Sequence, residues 1–177
     1  SYSYLEFLRV KLFQSYDINE AKKSIDDTAA ERRPLSDVGV EADFTPYKYF
    51  SFAARNIYSV YNGWKQTNYD LSISDWRGDN VVVGYRYTLG SIEEINISAK
   101  AVITGNIDAV FISRRDQFNS RTVENTIGAV YHTQCWAVGL DLTKSDTSTM
   151  TGATPQTGTD TRIVLKLSLT GLGKFGF

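Results

Sequence analysis

Cysteine, histidine and proline are almost missing from this 177-residue sequence, which has one Cys, one His and three Pro. A single Cys and a single His cannot build an ordinary protein-only zinc site, which takes three or four ligands and favours those two residues. Cys135 alone cannot close an internal disulfide. Long apolar runs are missing too. Those present are a few residues long, such as Val81-Val82-Val83, against the roughly 20 a membrane-crossing helix needs, so a helical membrane protein is excluded. Nor is there a basic excess: 19 Lys+Arg face 20 Asp+Glu, for a net charge of −1. No nucleic-acid partner is expected from that balance. Hydrolase, metalloprotease, phosphate-loop and dinucleotide motifs do not occur. His132 is the only imidazole, it sits at a tight turn, and no partner lies near it in sequence. We expect no enzyme, no cofactor and no metal.

Period-2 alternation is present almost everywhere. Ile163, Leu165, Leu167 and Leu169 share one parity, against Arg162, Val164, Lys166, Ser168 and Thr170. The same pattern runs through Trp136, Val138, Leu140 and Leu142, and through Ile95, Ile97, Ala99 and Ala101. It recurs in Val81, Val83, Tyr85 and Tyr87, in Val38, Val40, Ala42 and Phe44, and in Tyr69, Leu71 and Ile73. Phe50, Phe52, Ala54, Tyr58 and Val60 share a face interrupted by Asn56. Val123, Ile127, Ala129 and Tyr131 share one interrupted by Asn125. Residues 107–113 can be faced either way. In the first segment the phase changes between Phe7 and Leu8, which a β-bulge would reconcile. The expectation is all-β: about ten antiparallel up-and-down strands of about ten residues, the length that crosses a bilayer at a tilt of about 45°.

Long and short connections alternate. Residues 18–35, 62–67, 114–120 and 145–159 are the longer ones, the first with a helical turn near Glu20 to Ser24. The turns at Thr45-Pro46-Tyr47-Lys48, Thr104-Gly105-Asn106 and His132-Thr133-Gln134 are tight. The links at 77–79 and 89–93 are both short and fit the alternation less well. Charge also follows parity. Glu41, Asp43, Arg86, Lys100, Glu124 and Asp141, with Arg9, Lys11, Arg55, Asp70 and others, lie on the polar side, while the apolar parity is nearly free of charge, Glu6 being the exception. Lys or Arg at mid-bilayer costs about 2–4 kcal/mol, so hydrocarbon on one side and a wet lumen on the other would impose this pattern. Tyr69, Tyr85, Tyr87, Tyr131 and Trp136 are expected near strand ends, as an interfacial girdle. A soluble β-sandwich with one solvated face would alternate in the same way. A self-contained small outer-membrane barrel, pore or hydrolase, is a further alternative.

Val83-Gly84-Tyr85-Arg86-Tyr87-Thr88, Ile95-Asn96-Ile97-Ser98-Ala99, Gln134-Cys135-Trp136 and Leu167-Ser168-Leu169-Thr170-Gly171-Leu172-Gly173 fall in an order that resembles the C-terminal barrel of the LPS-assembly protein LptD family. The resemblance covers about the last 100 residues. It implies a transmembrane β-barrel of the Gram-negative cell outer membrane that inserts lipopolysaccharide through a lateral opening between its first and last strands. Residues 1–177 would be the C-terminal portion of that barrel; Ser1 in place of a start Met, within a patterned segment, agrees with a piece of a longer protein. The implied partners are lipopolysaccharide, an LptE-like lipoprotein plug in the lumen, a periplasmic LPS-transport bridge reached through an N-terminal domain, and the barrel-assembly machinery. Arg162, Ile163, Val164, Leu165, Lys166, Leu167, Ser168 and Leu169 would form the last-strand side of the opening. Cys135 would be joined to a cysteine of the N-terminal domain; a small buried thiol is the alternative. Phe175 and Phe177 resemble the terminal assembly signal, or are simply a strand end.

Overall fold

The computed structural model describes residues 6–22, 32–147, 149–151, 154–156, 158–169 and 173–176. Alternating β-branched and aromatic residues make nearly all of them strand, as the expectation held. The strands are β1 (Leu8–Phe13), β2 (Val38–Tyr47), β3 (Phe50–Ser59), β4 (Gly63–Ser74), β5 (Asn80–Thr88), β6 (Ile92–Thr104), β7 (Ile107–Asp116), β8 (Arg121–His132) and β9 (Trp136–Asp146). A hairpin of β10 (Thr149–Thr151) and β11 (Thr154–Gln156) follows, then β12 (Thr159–Leu169) and the short β13 (Gly173–Gly176). One sheet runs β1-β2-β3-β4-β5-β6-β7-β8-β9-β12-β13, every neighbour antiparallel. This is an up-and-down meander of ten principal strands. Its two edges do not pair with each other, so the described sheet is open.

The connections alternate in length only in part, since the links at 60–62 and 89–91 are shorter than the one at 75–79. Residues 14–37, 60–62, 89–91, 117–120 and 147–158 join strands at one end; 48–49, 75–79, 105–106 and 133–135 join them at the other. The first of these carries α1 (Ile18–Lys22), started by Asp17, whose Oδ1 accepts the amides of Asn19 (2.9 Å) and Glu20 (3.0 Å).

Several boundaries differ from expectation. Pro46 lies inside β2, not in a turn, at a register shift between Phe44 and Tyr47 where its missing N–H is tolerated. β4 starts at Gly63, so most of the supposed loop 62–67 is strand, and a bulge opposite Ile57/Tyr58 absorbs the irregular pattern there. β7 and β9 run on to Asp116 and Asp146, into residues read as loop. β1 starts at Leu8, with Leu8, Val10 and Leu12 opposite Phe44, Ala42 and Val40; the bulge expected at Phe7 would join it to residues outside those described. Tyr4, Leu5 and Phe177 lie outside the described residues.

Two faces of one wall

Residues opposite one another in an antiparallel ladder project to the same side of the sheet, so the register assigns every residue to a face. One hydrogen-bonded row runs Ile163–Leu142–Ile127–Phe111–Ala99–Val81–Ile73–Phe50 across eight strands without a charge. On the other face lies Lys11–Glu41–Arg55–Asn68–Arg86–Glu94–Asp116. Glu41, Asp43, Arg86, Lys100, Glu124 and Asp141 all share that charged face, as expected. The ambiguous segment 107–113 is settled by its partners: Asp108 and Val110 join the charged face beside Lys100, and Ala109 and Phe111 join the apolar one.

The charges pair across strands. Asp43 is held between Arg9 on β1 and Arg55 on β3, both at 2.9 Å. Arg86 bonds Asp70 at 2.6 Å, Lys100 bonds Asp108 at 2.9 Å, and Lys166 bonds Asp141. His132 Nε2 lies 3.6 Å from Asp108 at a strand end. Each exposed pair contributes at most about 1 kcal/mol; together they tie adjacent strands side by side. Glycines make room for side chains on this face. A Cβ on Gly128 would fall within the Asp141 carboxylate, and one on Gly39 within the Phe13 ring.

The apolar face has no cover among the described residues. Ala54 is the one buried apolar residue there, while Leu140, Leu165 and Leu167 are 53%, 61% and 40% exposed. No second sheet packs on them among the described residues. The aromatics differ in part from expectation. Tyr131 and Trp136 do meet at a strand end, with ring centres 5.5 Å apart, and Tyr58 and Trp64 meet at the opposite end at 5.2 Å. Tyr69 and Tyr85 instead sit mid-strand, where Phe52, Tyr69 and Tyr85 stack in series at 6.0 and 6.2 Å.

The apolar band is not level with the ladder. Leu142, Ile127 and Phe111 are the members of their apolar runs nearest the long connections. Val81, Ile73 and Phe50, in the same row, are the members nearest the short ones. The band therefore drifts by roughly one residue per strand, a slope of about 35° at the usual 3.3 Å rise and 4.8 Å strand spacing. Sequence reasoning had no access to this drift, because it needs the register between strands.

The longer strands also place charges that parity alone did not reach. Glu93, Arg115, Lys144 and Asp146 lie on the apolar face at its margin by the long connections, beside Ser113 and Asn125, whose side chains bond at 2.7 Å. The apolar face is thus free of charge through its middle but not at that margin.

Of the remaining expected site residues, β12 carries Arg162 to Leu169, but it is not the last strand. β13 pairs with Lys166, Leu167, Ser168 and Leu169 through Gly176, Phe175, Lys174 and Gly173. The edge of β12 from Thr159 to Leu165 has no strand partner among the described residues. Cys135 is exposed, in the 133–135 turn, so the buried-thiol alternative is withdrawn.

No family model matches the chain. It is similar to curated LPS-assembly proteins LptD: 32% identical over 97 residues to that of Burkholderia thailandensis and 29% over 97 residues to that of Burkholderia lata. Each match takes in 51% of this chain and 12% of the relative, so the chain corresponds to a small part of the proteins it matches. Over about half its length, then, this open sheet with one charged and one uncovered apolar face is similar to part of LptD.

Proposed function

We propose that the chain is the C-terminal portion of an outer-membrane β-barrel of the LptD type, and that it forms part of the wall through which lipopolysaccharide reaches the outer leaflet. The observation that carries this is the sloping apolar band. A slope of about 35° falls at the tilt of strands in membrane barrels, about 35–45°, and the apolar residues along it are exposed, as contact with hydrocarbon requires. Similarity to LptD supplies the cargo. The charged face would line the lumen, where an LptE-like lipoprotein would meet its ion-pair rows. The short-connection end would face the periplasm, the transport bridge and the N-terminal domain to which Cys135 would be bonded. The barrel-assembly machinery would read the segment containing Phe175 and Phe177.

β12 suits the proposed opening. β13 covers its edge only near the short connections, leaving the stretch from Thr159 to Leu165 as a seam on the outer-leaflet side. In the full-length protein in cells, a photo-crosslinking residue at Ile163 is expected to capture newly made lipopolysaccharide, and one at Leu71, deep in the sheet, is not. Equal capture at both positions would count against the seam.

A further inference from the structure

Arg115 on β7 and Lys144 on β9 are cations on the apolar face, exposed, and without a carboxylate within 4 Å among the described residues. Almost every other cation of the strands lies on the charged face, most beside an acid. These two also lie at one depth. In the register, Arg115 stands one apolar-face position further toward the long connections than Lys144, and two strands away. That offset of two residues over two strands equals the mean drift of the apolar band across the whole sheet, about one residue per strand. With strands about 4.8 Å apart and residues about 3.3 Å apart, their Cα atoms are separated by about 12 Å. Asn125 on β8 stands between them. Glu93 continues the line on β6, where it accepts the Tyr85 hydroxyl at 3.3 Å. A cleft of about 400 Å³ opens at the Lys144 end, lined by Arg121, Thr122, Asn125, Asp146 and Thr159.

We infer that Arg115, Asn125 and Lys144 form a headgroup site on the outer surface of the wall for a glycolipid bearing two phosphates. The inference rests on the membrane reading above and adds a place where one lipid is held beside the wall. A cation at mid-bilayer is costly, but near the interface the cost falls to about 0–1 kcal/mol, which a phosphate at that level offsets. Two cations about 12 Å apart, with an amide donor between, match two phosphates on one sugar headgroup better than a single phosphodiester.

The test is retention of diphosphorylated lipid A and of phosphatidylglycerol by the full-length protein in non-denaturing detergent, measured by native mass spectrometry. The Arg115→Gln/Lys144→Gln variant is expected to retain about tenfold less lipid A with phosphatidylglycerol unchanged, and the charge-keeping Arg115→Lys/Lys144→Arg variant to retain it as the parent does. Unchanged lipid A retention by the Gln variant, still heat-modifiable and inserted, overturns the site and leaves the membrane reading standing. An equal loss of both lipids also overturns it, as unselective surface charge. A parent protein that does not enter bilayers overturns both.

Discussion

Single residues on the charged face have opposite tolerances that composition does not reveal. Gly128 and Gly84 both lie there in strand conformation, yet a Cβ on Gly128 meets the Asp141 carboxylate, while one on Gly84 comes no nearer than 3.4 Å to Asp70. Gly128→Ala is therefore expected to push Asp141 away from Lys166 and cost about 1–3 kcal/mol; Gly84→Ala should stay within about 0.5 kcal/mol. The temperature of the heat-induced gel-mobility shift of the full-length protein reads both, and equal shifts would refute the contrast. Just outside the strands, Asp37 accepts a 2.7 Å hydrogen bond from Lys65. That bond, helped by one from Ser59 and opposed by desolvation, holds the Asp37 carboxyl below the ordinary carboxylate range. A depressed folded value means the tie is fully present above the ordinary carboxylate pKa and is lost as pH falls through the lower one. In a carboxyl-carbon NMR titration, Lys65→Gln should move the Asp37 midpoint upward, toward the ordinary value.

At the scale of the strand, exposure and environment separate two readings that alternation leaves equal. Leu140 is near the middle of its apolar run on β9 and 53% exposed. In water, replacing so exposed a residue by Arg changes stability by about 0.5 kcal/mol or less. Against hydrocarbon it costs about 2–4 kcal/mol. Leu140→Arg is expected to show the larger loss in lipid vesicles, measured by urea unfolding, while Ser145→Arg, on the charged face opposite Glu124, shows little. Most of this wall was legible in the sequence, because period-2 parity is a local property: the faces of β5, β6, β9 and β12 follow from their residues alone. What parity could not supply was where strands stop. Polar residues such as Arg115, Ser145 and Thr67 look like loop in one dimension, and they continue as strand because a neighbouring strand supplies their ladder partners. Residues 107–113 were ambiguous for the same reason, since Ile112 and Val110 are apolar yet face the charged side, where Ser98 and Lys100 stand opposite.

The whole molecule poses a problem of edges. β1 exposes every residue from Leu8 to Phe13, and β12 has a free edge over half its length among the described residues. Open edges of this length pair with other chains unless something completes them; in the proposed reading the rest of the barrel would do so. In that same reading Cys135 would fix the wall to an N-terminal domain. Thr133 Oγ1 accepts hydrogen bonds from the amides of Cys135 (3.4 Å) and Trp136 (3.2 Å), which pins the turn and leaves the thiol exposed beyond the end of β9. In an oxidising periplasm such a thiol would form a durable disulfide with a partner whose Cα comes within about 4.4–6.8 Å. A non-reducing peptide map of the native full-length protein is expected to show the Cys135 peptide joined to one from the N-terminal domain. Cys135→Ser should then leave the barrel heat-modifiable while freeing that domain to be cleaved away by added protease. No disulfide can form within this chain, which has no second cysteine. A free Cys135 thiol in the native protein would therefore remove the covalent tie, and the orientation of the wall would have to rest on its connections and its charged margin alone.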